Sequence, residues 1–561
     1  MILIEENKAK KIPGGNSLFI SFNYNEKIVS TIKTFSDVYN YDKKTKVWEV
    51  PIINLSRLLD NLCNIDEITL KLLKNKSNNK EINKKITSKL KTKPYPYQQQ
   101  GIEYGINHDK FLLLDAPGLG KTLQMIYTAQ ELKKTEKLEH CLIICGVNTL
   151  KNNWKKEIQT HSNLSCRILG EKTNSKGNIV IGSVKERLEQ LKHPIKEFFV
   201  ITNVETLRNN DIIKEINSGK INKFDMIVVD EVHRCKSPTS QQGKNLLKLT
   251  KAKHRIGLSG TVLMNNPLDC YVPLKWLGIE TCTNSNFKYF YCNYGGPFNN
   301  ELIGYKNINV LKDMLENNSL RRTKDLLDLP DKTIIHEFVD MEISQSNFYE
   351  NIKNGIVEQV DKVHISTTSL LAMISRLRQA TACPTYLTTE NIPSAKIDRT
   401  IDIIEQIIDN NNKVVVYSMF KETLNILQEK LKSYSPLLCT GNIKDDIISN
   451  NIDKFQNTNE SSIMLATCQK MGTGITLTSA NYAIFIDCPW TQADCLQCED
   501  RVHRIGSKEP VFIYYLWANN TIDEKVKDIV ETKGILSDYV VDNVYQPQFL
   551  DKLKKIIEDL N

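Results

Sequence analysis

The run from Phe111 to Leu132, "FLLLDAPGLGKTLQMIYTAQEL", constrains the fold more than any other segment. Phe111 to Leu114 read as a short buried strand. Gly118, Leu119, Gly120, Lys121 and Thr122 follow as a tight loop, and a helix begins there. A strand passed to a helix through glycines makes a phosphate cradle. Backbone N–H groups approach the anion closely, and the helix N-terminus adds partial positive charge. In such a loop Lys121 addresses the β- and γ-phosphates, and Thr122 holds Mg2+ through its hydroxyl. The common pattern is GxxxxGK followed by Ser or Thr, and here Asp115 stands at its first glycine. On this stretch alone, a plain strand-to-helix turn stays open as an alternative.

A second stretch narrows the choice. "FDMIVVDEVH", residues 224–233, reads as an apolar strand that ends in Asp230-Glu231. A carboxylate at a strand tip binds Mg2+ through its water shell, and its neighbour orients an attacking water. About 110 residues separate Glu231 from Lys121, room for several strand–helix units. Phosphoryl transfer also needs a cation for the developing charge. The loop has one lysine and no adjacent arginine. "QCEDRVHRIGSK", residues 497–508, brings Gln497, Arg501 and Arg504 together, on one face if the segment is helical. It follows a second α/β stretch ("NNKVVVYSMF", "SSIMLATCQKMGTGITLTSA", "NYAIFIDCPW"), so the arginines are expected from a second lobe that closes on the first. The plainer alternative is surface ion pairing with Glu499 or Asp500.

Length and charge set the surroundings. At 561 residues the chain is too long for one domain. The N-terminus has no apolar run of signal-peptide length, and no stretch nears the roughly 18 consecutive apolar residues of a membrane span. The fourteen cysteines suggest reduced thiols. The one CxxC, Cys495 and Cys498, reads as two ordinary helix cysteines rather than a zinc site. The net charge is +8, and between Lys71 and Lys93 nine lysines face the single acid Glu81. That run is a flexible connector or, alternatively, an arm that touches phosphates. Upstream, "SLFISFNYN", "EKIVSTIKTF" and "YDKKTKVWEVPI" read as strand, helix, and turn into strand.

These parts, in this order, resemble the Snf2 family of superfamily 2 helicase-like ATPases. "PYQQQG" is similar to the adenine-reading glutamine motif, with Gln98, and "DAPGLGKT" to the family's DExGLGKT, which accounts for Asp115. "LIICGVNTLKNNWKKEI" resembles motif Ia, "ITNVETLR" the strand before motif II, and "DEVH" the DEAH-type box. "GLSGTVLMNN" resembles motif III, "SLRRTKDLLDLP" the inter-lobe hallmark, and "KVVVYSMF" motif IV. "GTGITLTSA" and "WTQADCLQCEDRVHRIGS" resemble motifs V and VI. Ala116-Pro117, Val232, Val262 to Met264 and Met471 depart from the family pattern without removing a phosphate, metal or finger residue. "YNEKIVSTIKTF…YDKKTKVWEVPI" is similar to the HARP module that precedes the ATPase in annealing helicases.

The resemblance implies an α/β chain. Two RecA-like parallel-sheet lobes with helical insertions follow a small N-terminal α+β module. The expected division is the module at 1–70, a basic linker at 71–93, lobe 1 at 94–275, helical protrusions and inter-lobe connection at 276–395, lobe 2 at 396–540 and a C-terminal helix at 541–561. ATP would meet Gln98, Asp115, Gly118, Leu119, Gly120, Lys121 and Thr122. Mg2+ would meet Thr122 and Asp230. Glu231, Gln497, Arg501 and Arg504 would carry catalysis. His233, Ser259, Thr261, Gly472 and Gly474 would couple the cleft to double-stranded DNA, with forked DNA a candidate form. The implied activity is DNA-dependent ATP hydrolysis that drives translocation on duplex DNA and remodels DNA or nucleoprotein. A monomer without membrane contact is expected, cytoplasmic for a microbial or viral source and nuclear for a eukaryotic one. The alternatives are an RNA-dependent ATPase of the same superfamily and a nucleic-acid-binding adaptor with a vestigial ATPase.

Overall fold

The computed structural model describes residues 1–36, 38–71, 84–146, 150–173, 179–260, 267–295, 301–327, 329–362, 367–458, 461–471, 475–489, 492–528 and 530. It divides into two units, one reaching Lys324 and the other beginning at Asp325.

The first unit opens with a small α+β module. Strands β1 (Ile2–Lys8), β2 (Asn16–Phe22), β3 (Asn40–Asp42), β4 (Val47–Pro51) and β5 (Ile68–Lys71) form a sheet in the order β3-β4-β2-β1-β5. Helices α1 (Glu26–Phe35) and α2 (Leu55–Leu62) complete it. Asn25 caps α1 by accepting from the Lys27 and Ile28 amides, a bond worth about 1 kcal/mol. Ile28, Ile32, Leu58 and Leu62 fill one core with Ile4, Leu18, Ile20 and Val50.

The module is not loosely tethered. Ala9 and Ile12, in the loop between β1 and β2, belong to the core of the following domain. Gly14 N donates to the buried Glu280 carboxylate at 3.3 Å, and Thr281 Oγ1 donates to Ala9 O at 2.9 Å. The described half of the expected linker is also held. Thr87 N and Ser88 N donate to Glu131 at 3.1 and 2.8 Å, and Lys84 pairs with Glu136 at 2.9 Å. Ile86 and Leu90 pack on the same domain's core. Residues 84–93 are therefore strapped to the domain rather than free, because their apolar and hydroxyl side chains find partners that a count of lysines hides.

That domain contains α3 (Pro96–Asn107), β6 (Lys110–Leu113), α4 (Lys121–Glu136), β7 (His140–Cys145), α5 (Leu150–His161), β8 (Cys166–Ile168), a hairpin of β9 (Glu171–Thr173) and β10 (Ile179–Ile181), β11 (Phe199–Asn203), β12 (Phe224–Asp230) and β13 (His254–Leu258). A second hairpin, β14 (Cys292–Gly295) with β15 (Glu301–Tyr305), precedes the two-residue β16 (Ser319–Leu320). The main sheet runs β16-β6-β13-β12-β7-β11-β8, all parallel. β7, β11 and β13 are buried at every residue, as strands covered on both faces must be.

The second unit has a six-stranded parallel sheet, β17-β22-β21-β18-β20-β19, from β17 (Lys332–Val339), β18 (Val414–Ser418), β19 (Leu437–Cys439), β20 (Ile463–Thr467), β21 (Tyr482–Phe485) and β22 (Val511–Ala518). The segment 276–395, expected to be helical, contains helices and also strands. β16 extends the first sheet and β17 edges the second, so each sheet reaches into the connecting segment. The expected C-terminal helix at 541–561 lies outside the described residues.

Candidate nucleotide site

Three neighbouring parallel strands of the first unit end on the same side of the sheet, where α/β proteins bind ligands. β6 leads into the glycine loop, β13 into Ser259, and β12 ends at Asp230. In the loop, Gly118 and Gly120 have φ of 89° and 73°, backbone that only glycine adopts without strain. Gly120 caps α4, whose first two residues are Lys121 and Thr122. Lys121 Nζ donates to Asp115 O at 2.7 Å and to Ala116 O at 3.4 Å, so the ammonium curls over its own loop.

Gln98 sits in the first turn of α3, buried against this loop. Its Oε1 accepts from Tyr95 N at 3.0 Å, and its Nε2 donates to Leu119 O at 3.3 Å. The glutamine is thus placed beside the phosphate loop rather than out in solvent.

Asp230 is buried at the end of β12. Trp154 Nε1, from α5, donates to Asp230 Oδ2 at 2.9 Å, and the Glu231 amide donates to Oδ1 at 3.0 Å. Burial, and next the charge of Glu231, push the Asp230 carboxyl up to about 6, partly offset by Trp154 and Lys121. Glu231 has φ of 53°, the left-handed region, at a cost of order 1 kcal/mol. Gly146 allows this turn, since a Cβ there would stand 2.7 Å from Glu231 Cβ. His233 Nδ1 lies 3.0 Å from the fully buried Ser259 Oγ and 3.3 Å from Glu231 Oε2. Burial first, then Arg234 and Lys236, lower His233 to about 4, so its imidazole is neutral near pH 7. Thr261 lies outside the described residues.

The donor set fits Mg2+ bound with a nucleotide. Burial and the neighbouring Glu231 charge raise the proton affinity of Asp230, and a divalent cation at Asp230 and Thr122 would relieve that. Lys121 donates there to carbonyl oxygens of its own loop, partners that a phosphate outbids.

Sequence reading did not find Arg322. Its Nε donates to Asp115 Oδ1 at 2.9 Å, and its Nη2 pairs with Asp115 Oδ2 and donates to Gln124 Oε1 at 2.7 Å. Its Nη1 donates to Tyr97 O. The signal was the carboxylate at the pattern's first glycine, which needs a cation once buried.

In the second unit, Gln497 and Arg501 lie on the helix Gln492–Val502. That helix stops before Arg504, so the expected single helical ridge is not formed. Ser507 Oγ donates to Val502 O at 2.6 Å and accepts from Arg504 N at 3.1 Å, and Gly506 turns the chain at φ of 106°. The two arginines converge all the same, by reaching one loop. Arg501 Nη1 donates to Ile475 O at 3.3 Å, and Arg504 Nη1 donates to Thr476 Oγ1 at 3.1 Å. Arg501 is buried and Arg504 half-buried. Gly472 and Gly474, just before that loop, lie outside the described residues. Glu499 accepts from Lys332 at 2.7 Å and from the Tyr515 hydroxyl at 2.7 Å. Cys495 and Cys498 are buried thiols on the same helix.

Comparison with known proteins places the chain in a family. The model of the SNF2-related domain matches residues 97–386, and that of the helicase conserved C-terminal domain matches 395–506. An uncharacterized ATP-dependent helicase of Mycoplasma pneumoniae is 27% identical over 517 residues, covering 90% of this chain and 47% of its own length. The DNA annealing helicase and endonuclease ZRANB3 of Bos taurus is 26% identical over 468 residues, 80% of this chain and 40% of its own length. The solved SWI2/SNF2 ATPase core of Sulfolobus solfataricus, in complex with dsDNA, aligns at 25% identity over 81% of this chain and 94% of that one, with a TM-score of only 0.36. This chain spans less than half the length of the two curated relatives described here. Among the described residues no helix is long and apolar enough to cross a membrane. The SNF2-related match covers more than half of the 561 residues, and the chain belongs to the SNF2-related family of helicase-like ATP hydrolases.

Proposed function

We propose that this chain hydrolyses ATP in response to duplex DNA and uses the hydrolysis to move along it. One observation carries the reading: a lysine-bearing phosphate loop and an Asp-Glu pair follow two strands of one parallel sheet, β6 and β12, that are separated only by β13, and the Lys121 charge offsets part of the burial-driven rise of the Asp230 carboxyl.

The roles follow from the chemistry. The loop amides from Gly118 to Lys121 and the start of α4 bind phosphate, and Lys121 Nζ exchanges the Asp115 and Ala116 carbonyls for phosphate oxygens. Gln98, fixed against Leu119, is placed to read the base. Thr122 and Asp230 would hold Mg2+, which when bound supplies charge neutralisation to the phosphates. Glu231 orients the attacking water and accepts its proton. The neutral His233 and Ser259 relay the state of Glu231 along β13. Arg501 and Arg504 supply the cations for transition-state charge. Family relatives include a protein named for DNA annealing, which makes forked DNA the first substrate to compare with plain duplex. Little base specificity is expected of a protein that tracks the phosphate backbone.

The deciding experiment is the ATPase rate on a panel of plain duplex, forked DNA, single-stranded DNA and RNA. Stimulation by duplex is expected. Stimulation by RNA alone would make this an RNA-dependent enzyme. Absence of turnover with every nucleic acid would make it a binding adaptor.

A further inference from the structure

We propose that Arg322 is a positioning residue that sets the geometry of the phosphate loop and ties it to the segment leading out of the first unit. The proposal rests on the ATP reading of that loop.

Asp115 has no exposed surface, and a buried carboxylate persists only when paired. Its partner comes from 207 positions away. Nε and Nη2 of Arg322 grip both carboxylate oxygens, a match that the planar guanidinium makes and an ammonium does not. The same Nη2 donates to Gln124 Oε1, while Gln124 Nε2 returns bonds to Asp115 Oδ2 at 3.0 Å and Leu119 O at 3.2 Å. Nη1 reaches Tyr97 O, next to Gln98, and the guanidinium lies over the Tyr97 ring at 5.5 Å. One side chain thus holds the start of the phosphate loop, the first turn of the glutamine helix α3 and the first turns of α4. Gly101 leaves the space, since a Cβ there would come within 2.7 Å of Arg322 Nη2.

The backbone makes a second link. Leu112 N, Leu114 N and Ala116 N donate in turn to Asn318 O, Leu320 O and Arg322 O, at 3.0, 2.8 and 2.9 Å. The exit segment therefore runs as an added strand along the loop itself, two residues before the first unit ends at Lys324. Asp115 binds Arg322 through its side chain and Lys121 through its carbonyl. When Lys121 turns to phosphate, it is this residue and Ala116 that lose a donor, at the point where the exit strand is bonded.

The test uses the full chain and a non-hydrolysable fluorescent ATP analogue, with steady-state turnover on duplex DNA alongside. Arg322→Ala and Asp115→Asn are each expected to weaken analogue binding and raise KM by about tenfold or more, with a smaller change in kcat. Arg322→Lys should recover part of the loss. The double variant should be no worse than Arg322→Ala alone, because both changes remove one pair. Wild-type affinity and KM in folded Arg322→Ala, even with a lowered melting temperature, would overturn the proposal, as would additive losses in the double variant. If Arg322→Ala does not fold, Arg322→Lys and Asp115→Asn carry the test: wild-type affinity in both would overturn it. Retained analogue binding in Lys121→Ala would instead overturn the nucleotide reading beneath it.

Discussion

The two units hold their functional side chains in opposite ways. In the first, the candidate groups are anchored by partners distributed along the sequence: Asp115 by Arg322, Asp230 by Trp154, Gln98 by Leu119 and His233 by Ser259. In the second, Arg501 and Arg504 both lean on a single loop, through Ile475 O and Thr476 Oγ1. The first arrangement is preorganised for binding. The second sets both arginines against one short segment, and movement of that segment would carry both contacts with it. Loss of an arginine of the second unit should therefore spare nucleotide binding by the first.

The sharpest test of that separation is Arg504→Ala, expected to keep nucleotide affinity and lose DNA-stimulated turnover by about 10³-fold, the usual worth of an arginine finger. Equal turnover in a folded variant would remove the finger assignment. Next comes Glu231→Gln, expected to lower kcat by at least about 10²-fold with binding intact, as removal of a general base does. Gly146→Ala should follow, lowering kcat by roughly tenfold, because its Cβ displaces Glu231 from its left-handed turn. Unchanged kcat there would show that the turn is not needed for chemistry.

The smallest effect concerns the strap. Burial raises the Glu136 carboxyl, but bonds from Lys253, Lys84 and His254 outweigh it and lower the group to about 2 from 4.5. A depressed carboxylate contributes stability that is present above pH 4.5 and lost as pH falls toward 2. Glu136→Gln should therefore lower stability at pH 7 by about 1–2 kcal/mol, and the gap to wild type in thermal melts should shrink between pH 4.5 and 2. A gap that does not change with pH would show that the charge of Glu136 contributes nothing to holding the strap.

The phosphate loop, the acidic pair and the arginines were legible because each is a local pattern on one strand end or one short segment. Arg322 was not, although Asp115 advertised the need for a partner, because nothing local says which of the distant cations supplies it. The strand Ser319–Leu320 is too short to show any alternation. In "KTIIHEFV", burial alternates poorly, since β17 is an edge strand, and its place in the second sheet came only from pairing with β22. The helix holding Arg501 ends at Val502, two residues short of Arg504, because Ser507 and Gly506 close a turn that the arginine pattern does not reveal. The lysine run was read by charge, and it is Thr87, Ser88 and Ile86 that decide where its described half lies.

The wedge formed by residues 9–15 has a consequence for synthesis. Ala9, Ile12 and Gly14 leave the ribosome some 270 residues ahead of Glu280 and Thr281, which receive them. At roughly 5–20 residues per second, that apolar loop waits about 15–50 s for its socket. During translation the small leading sheet can form while its own seam stays open, a window in which a nascent-chain chaperone would find a handle that the finished protein no longer offers.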